Sequence, residues 1–510
     1  MMLEPSRSAF VAMGAREAPD GRRATHAPVI VRLQADRETP ISIFERVARE
    51  AEQAFLLESV EGGETMGRYS FLAVDVERTL EVCGGEARVR GASGEDVFAV
   101  EDPLDALSRV MGDVAVAPHP ALPRFVGGAV GYVGFDAMCA FEPVPLAAGA
   151  GLGWPTAMFL LARDVVVYDH RDHRVLLVTL APLAGDRGAA WEAARARLAQ
   201  LVERVTAPQA PEPPWWLDAV PDDALVVTPN RSDEDFCAAV TRAKEAIASG
   251  ELFQVVLSRR ESIAAEVDPL LLYRSLRATS PSPYMFLLRM GARSLVGASP
   301  EVLVRLDEGK LLVRPIAGTR RRGASTEEDD ALAEELLADA KELAEHRMLL
   351  DLGRNDVGRV AAVGSVRVKS PLHIERYSHV MHIVSDVEAE LAPGCDAYDV
   401  FRACFPAGTV SGAPKVRACQ WLAELEPDRR GPYSGAVGYF DHAGNIDTAI
   451  AIRTMMVEPG VVHVQAGAGV VFDSVAEAEL EECRNKAAAA RVAVRRALHR
   501  QAALAEEEAR

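Results

Sequence analysis

The sequence is poor in cysteine, in positive charge and in long apolar runs, and each shortage excludes something. Its seven cysteines, Cys83, Cys139, Cys237, Cys395, Cys404, Cys419 and Cys483, stand singly, with no CxxC pair and an odd total. That argues against a disulfide framework and a zinc knuckle, and a reducing cytoplasm fits best. None of the seven sits in a Gly-x-Cys-x-Gly elbow, the turn that a glutamine-hydrolysing nucleophile of that kind requires. No stretch reaches the roughly 18 unbroken apolar residues of a membrane span. From Met1 to about His26 the residues Glu4, Arg7, Arg16, Glu17 and Asp20 interrupt any signal-peptide core. Lys and Arg number 56 against 75 Asp and Glu, a net charge of −19. A field of that sign repels phosphate backbones and anionic head groups, so no nucleic acid and no membrane is expected as a partner. An anionic substrate would need a local cationic site, built from arginine or a bound metal. There is no GxxxxGK[ST] phosphate loop and no internal repeat.

What is present is an ordinary globular composition, 49% hydrophobic and 26% charged over 510 residues, enough for roughly two to four structural units. Residues 1–27, rich in charge, Pro and Gly, read as a disordered leader. Apolar runs at 29–33, 54–60, 69–74 and 165–168 suggest strands, with helices at 41–51 and 191–205, so residues 28–206 form a mixed α+β region. Residues 207–224 open with four prolines in eight positions and read as a linker. In the region 225–500, Ser232 and Ser325 cap two helices, the second long enough to reach about 352. Runs at 252–257, 284–288, 302–306 and 311–313, and much of 434–472, suggest strands. A closing helix starts near 476 and ends in an acidic tail, 501–510.

The helices carry the residues that invite chemistry. Glu342 with Glu345, and Glu479 with Glu482, stand three apart, so each pair shares a helical face, and Lys486 lies one turn beyond the second pair. Hard oxygen ligands from two elements suit Mg²⁺; glutamates three apart also occur on any solvated helix, and spacing alone leaves both readings open. His373, His379 and His382 invite a metal reading too. If 378–385 is a strand, however, residues three apart point to opposite faces, and His379 and His382 cannot chelate one ion. Arg314-Pro-Ile-Ala-Gly-Thr-Arg-Arg-Arg-Gly323 combines close backbone approach at Gly318, a hydroxyl at Thr319 and a guanidinium cluster, all suited to carboxylates and equally at home in a solvated loop. Gly467-Ala-Gly469 offers backbone N–H groups.

Several segments together resemble the chorismate-utilising enzymes, in order and spacing. They are Ser299-Pro-Glu301, Pro315-Ile-Ala-Gly-Thr319, Glu345-His-Arg-Met-Leu-Leu-Asp-Leu-Gly-Arg-Asn-Asp356, Val380-Met-His382, Gly408-Thr-Val-Ser-Gly-Ala-Pro-Lys415, Gly467-Ala-Gly469 and Glu482-Cys-Arg-Asn-Lys486. The match spans about 225 to 495. Leu56-Leu-Glu-Ser59 and Gly127-Gly-Ala-Val-Gly-Tyr132 are similar to the N-terminal part of the anthranilate synthase large subunit, component I. The resemblance implies an α+β fold, two large antiparallel sheets in a sandwich flanked by helices. It implies Mg²⁺ held directly by Glu345 and Glu482, with Glu342 and Glu479 nearby. Gly318, Thr319, Tyr433, Arg453 and the backbone of Gly467, Ala468 and Gly469 would hold chorismate, with Thr409 and Lys486 close by. Glu301 would protonate the leaving hydroxyl, and His382 matches the position associated with loss of pyruvate.

Two positions report the nucleophile within this family. Isochorismate and salicylate synthases carry a lysine where this chain has Gln254, and aminodeoxychorismate synthases often carry one where it has Ala317. With neither lysine present, ammonia is the expected nucleophile. That favours an anthranilate synthase large subunit in tryptophan biosynthesis, fed ammonia by a separate glutamine amidotransferase subunit in a hetero-oligomer. Glu58, Ser59, Pro283, Tyr284, Met285 and Phe286 resemble the two halves of the family's tryptophan feedback site, with Ser280 where Asn is usual and Cys483 where Thr is common near the metal. Two other readings stand beside this one. An aminodeoxychorismate or aminodeoxyisochorismate synthase would release no pyruvate, and a non-catalytic chorismate-binding regulator would consume no chorismate.

Overall fold

The computed structural model describes residues 2–18, 21–49, 51–59, 67–73, 75–112, 114–119, 122–209, 215, 225–377 and 380–508. Of the sequence expectations, most of the Pro-rich linker, Glu50 in the first helix, Val60 and Val74 at the ends of the second and third runs, and Ser378 and His379 fall outside the described residues.

Among the described residues two large antiparallel sheets dominate, as the α+β reading expects. One, of thirteen strands, runs from Leu3–Glu4 and His26–Gln34 through Arg174–Pro182, Asp164–Asp169, Tyr69–Ala73 and Gln53–Glu58. It continues through Tyr284–Met290, Arg293–Ser299, Thr454–Glu458 and Val461–Val470 to Gln254–Ala264 and Val227–Pro229, with Gly412–Ala413 attached. The other, of twelve, includes Ile316–Arg321, Val380–Glu390, Val302–Asp307, Ile446–Ile450, Ala436–Asp441 and Gly128–Val133. Alternation explains the layering, because successive side chains of a strand point to opposite faces. Phe286 and Leu288 enter the core between the sheets with Phe55, Tyr132 and Leu160, whereas Met285 and Leu287 enter the opposite cluster with Leu272 and Val494 from two covering helices.

Strands from both sides of the Pro-rich stretch share both sheets. Gln53–Glu58 pairs with Tyr284–Met290, and Gly128–Val133 with Ala436–Asp441, so the boundary placed at 207–224 divides the chain but not its core. The expected disordered leader is also corrected. Leu3 pairs with Val31, the helix Arg7–Val11 is capped by the Ser6 side chain, Phe10 is fully buried, and the Trp191 indole donates to the Pro5 carbonyl at 3.0 Å. One buried phenylalanine on a five-residue helix is too little periodicity to stand out among charges.

The helix opened by Ser325 does not run unbroken to 352. It ends at Ala338, and Asp339, with ψ of 109°, caps a second helix, Ala340–Gly358, by accepting from the N–H groups of Lys341 and Glu342. That break re-aims the helix so that Glu342 and Glu345 lie in its first turns. The closing helix, Ala476–Glu508, takes in the described part of the acidic tail.

Candidate active site

Glu301 lies between the strands Arg293–Ser299 and Val302–Asp307 and is 8% exposed. Burial pushes its carboxyl up to about 8, against the partial relief given by Thr409, Lys486 and Arg453. The Thr409 hydroxyl donates to Glu301 Oε1 at 2.8 Å, so the acidic proton belongs on the other oxygen. Thr409 is held there by the short helix Gly408–Ser411.

Across the site, His382 on the strand Val380–Glu390 sits opposite Thr319 in the register, where a bulge falls between Ala317 and Thr319. Gly318 adopts φ of 79°, which favours glycine, and an added Cβ would meet Ile383 at 3.1 Å and the Glu342 carboxylate at 3.2 Å, a tight fit. The bulge turns the Gly318 carbonyl to 3.1 Å from His382 Nδ1, with Thr319 Oγ1 at 3.0 Å. A carbonyl only accepts, so Nδ1 carries the proton and Nε2 keeps its lone pair. Burial lowers the histidine's pKa, with Arg453 acting in the same direction and the Gly318 bond against it.

The two carboxylate pairs lie within electrostatic reach of one another. Burial raises the Glu345 pKa, and the charges of Glu342 and Glu482 add to it; burial likewise raises that of Glu479, with Glu482 adding. Gln254 Nε2 donates to Glu345 Oε1 at 3.1 Å. Lys486 Nζ lies 2.7 Å from Glu482 and donates to the Gly467 carbonyl at 2.9 Å. Among the described residues no three His, Cys, Asp or Glu side chains gather closely enough to form a metal centre by themselves. The donor set nevertheless suits Mg²⁺, which takes one or two carboxylates and fills its remaining positions with water and substrate oxygens. Mutually repelling, partly desolvated carboxylates are what a divalent cation would relieve.

Gly467, Ala468 and Gly469 pair with Ser258, Leu257 and Val256. A Cβ at Gly467 would meet the Leu257 carbonyl at 2.8 Å and the Tyr433 hydroxyl at 2.9 Å, and one at Gly469 would meet Gln254 at 2.6 Å. The side chain of Ala468 is fully buried in the core, so this residue can offer only its backbone. The pairing with Thr454–Glu458 stops at Val464, so among the described residues no strand covers that edge beyond it. Arg453, exposed and at φ of 49°, turns between two strands beside this edge. The arginine cluster does not offer free guanidinium groups. Arg314 pairs with Glu375 and Asp386, Arg320 with Glu335, Asp339 and Glu342, Arg321 with Glu328, and Arg322 with Asp329.

A second pocket is lined by Glu58, Ser59, Pro283, Tyr284, Met285 and Phe286, all six residues of the expected feedback site. Met285 packs its side chain into the opposite cluster, which leaves its backbone for the pocket. No motif in the sequence marked the pocket's polar floor, where Tyr284 donates to Asp447 at 2.9 Å and Arg305 bridges Tyr284 and Asp447 at 3.0 and 2.9 Å. Nor did it indicate that buried Glu58 is bound by Tyr273 and Arg277.

Comparison with known proteins identifies the family. The family model described as chorismate binding enzyme matches residues 52–491. Anthranilate synthase component 1 of Thermus thermophilus is 47% identical over 460 residues, 89% of this chain and 95% of that protein. The corresponding protein of Acetivibrio thermocellus is 43% identical over 470 residues, 91% of this chain and 94% of that one. Among solved structures, anthranilate synthase component I from Streptococcus pneumoniae has a TM-score of 0.73 at 35% identity, covering 90% of this chain and 99% of that chain. The menaquinone-specific isochorismate synthase of Escherichia coli, 19% identical with a TM-score of 0.68, shares the fold.

Proposed function

The chain belongs to the chorismate-binding enzymes and, within them, to the anthranilate synthase component 1 proteins, and from that membership we propose that it converts chorismate and ammonia into anthranilate and pyruvate. The observation that carries the mechanism is a buried carboxyl, Glu301, held among the described residues by the Thr409 hydroxyl at one oxygen only. Chorismate must lose its C4 hydroxyl as a nucleophile adds at C2, and hydroxide departs readily only when protonated. Glu301, pushed up to about 8, keeps a proton for it, and the Thr409 hydroxyl fixes which oxygen presents that proton. Mg²⁺, held by Glu345 and Glu482 with Glu342 and Glu479 around them, would bind the ring carboxylate and help spread charge through the ring.

Neither Gln254 nor Ala317 can act as a base, and the Gln254 amide is already engaged with Glu345. Ammonia, nucleophilic without activation, then attacks C2. In the second step a proton leaves C2 while the C3–O bond to the enolpyruvyl group breaks, and the ring becomes aromatic. His382, neutral with Nε2 unprotonated, is poised to accept that proton. Gly318, Thr319, Tyr433, Arg453 and the backbone at Gly467 to Gly469 bind the substrate, Arg453 and Lys486 supplying local positive charge within a chain of net charge −19.

The ammonia would come from a glutamine amidotransferase subunit in a hetero-oligomer. Burial raises the thiols of Cys139, Cys404, Cys419 and Cys483, the last three to about 12, which supports the absence of a glutaminase nucleophile from these positions. Tryptophan would bind the second pocket and inhibit from there. Mass spectrometry of chorismate, Mg²⁺ and ammonium with the purified chain tests the reaction. Anthranilate and pyruvate are expected together; isochorismate as main product, or an aminated product that keeps its enolpyruvyl group, would refute it.

A further inference from the structure

Among the described residues, Arg430 is the largest side chain that the fold buries completely. A guanidinium keeps its charge inside a protein, so acceptors must meet it. Nε and Nη2 each donate at 2.7 Å to the two oxygens of Glu426, Nη1 donates to the Val410 carbonyl at 2.8 Å and Nη2 to the Val256 carbonyl at 2.6 Å. The guanidinium carbon also lies 5.6 Å from the centre of the Tyr433 ring.

Each of these contacts reaches the carrier of a site residue. Val410 follows Thr409, which holds Glu301. Val256 stands two residues beyond Gln254 and opposite Gly469. Glu426 accepts from both N and Oγ of Ser258 at 2.8 Å, and Ser258 faces Gly467. Stability alone is a poor reason for this pair, since exchanging a buried ion pair for apolar residues is often neutral or stabilising.

We propose that Arg430, braced by Glu426, is a positioning residue for the reaction, holding the main chain behind Thr409, Gln254 and the Gly467 to Gly469 strand in one arrangement around Glu301. A lysine could replace its charge but not the planar fan of donors that reaches three partners at once. The inference rests on the reading of Glu301 as the acid.

The test is a double-mutant cycle in the Mg²⁺-loaded chain with ammonium and chorismate. Arg430→Lys should lower kcat on the order of 10-fold to 100-fold, with a smaller change in KM. Thr409→Val should cost about fivefold or more in the parent and about twofold at most in the Arg430→Lys background, because the hydroxyl is then already misplaced. The alkaline limb of the kcat profile should move to higher pH in Arg430→Lys. A weakened Thr409 donation favours the carboxylate less, while Lys486 and Arg453 still face Glu301. A merely structural role would lower the yield of folded enzyme without moving that limb. If Arg430→Lys does not fold, Glu426→Gln, which keeps the guanidinium, is read in the same way. The full Thr409→Val penalty beside either replacement, with an unmoved limb, would overturn the proposal. If Thr409→Val and Glu301→Gln both leave the parent's kcat intact, it is the assignment of Glu301 that fails, and this inference falls with it.

Discussion

Replacing Glu301 by Gln should make the protein less active and more stable, and the two effects have one cause. The carboxyl, ordinarily near 4.5, is pushed up to about 8 by burial, so ionising it inside the fold costs on the order of 5 kcal/mol more than in the unfolded chain. Between those values the folded protein holds a proton that the unfolded chain has released, so stability falls as pH climbs from about 4.5 to about 8. Glutamine titrates nowhere in that window. In urea titrations without substrate or metal, the stability of Glu301→Gln relative to the parent should therefore grow between pH 5 and pH 9, by about 2 kcal/mol or more after relaxation and water entry are allowed for. Activity moves the other way. With free ammonia held constant, about nine-tenths of Glu301 is protonated at pH 7 and about one-tenth at pH 9, so the parent's kcat should fall roughly tenfold per unit above 8. The variant, shape intact but without an acid, should lose about 10²-fold or more. Identical pH dependence of stability in the two proteins, or an unimpaired Glu301→Gln enzyme, would refute the reasoning.

Glu345→Ala or Glu482→Ala should nearly abolish Mg²⁺-dependent turnover and leave the circular dichroism spectrum unchanged; near-normal rates in either would disprove the metal assignment. Replacing Ser59, in the wall of the second pocket, by a bulky residue should relieve tryptophan inhibition and spare catalysis, and equal inhibition of variant and parent would reject that site. Chorismate should weaken tryptophan binding by the same finite factor by which tryptophan weakens chorismate binding, as linkage requires; no mutual effect, or strictly exclusive binding, in calorimetric titrations would count against an allosteric link. The single chain should use ammonium, better as rising pH frees NH₃ while Glu301 stays protonated, and ignore glutamine; measured glutamine hydrolysis would overturn this.

The parts of the fold that could be read from the sequence were those where one strong local signal decides. Ser232 and Ser325 cap helices because their hydroxyls accept from backbone N–H groups three residues on, and a run such as 284–288 has few options besides a strand. What could not be read depends on tertiary contact. The helix Arg7–Val11 has a single buried anchor, and only the facing helix Arg187–Val205 makes Phe10 worth ordering. The break at Asp339 has no Pro or Gly to announce it. It is set by a capping side chain and by the strand Ile316–Arg321, whose Arg320 reaches both Asp339 and Glu342.

The same division runs through the candidate site. Glu301, His382, Gly318 and Thr409 were singled out by short motifs that resemble those of the chorismate-utilising enzymes. Arg430, Arg305 and Asp447 were not, because each also reaches a group far away in sequence, Val256 for the first and one another for the other two, and Gln254 meets Glu345 across 91 residues. A motif also counts residues without orienting them. Met285 and Ala468 stand inside two of the most telling segments, yet alternation along their strands sends both side chains into the core. At those two positions the site can use only main-chain atoms, so a substitution there would change packing, not recognition, unless it shifted the strand itself.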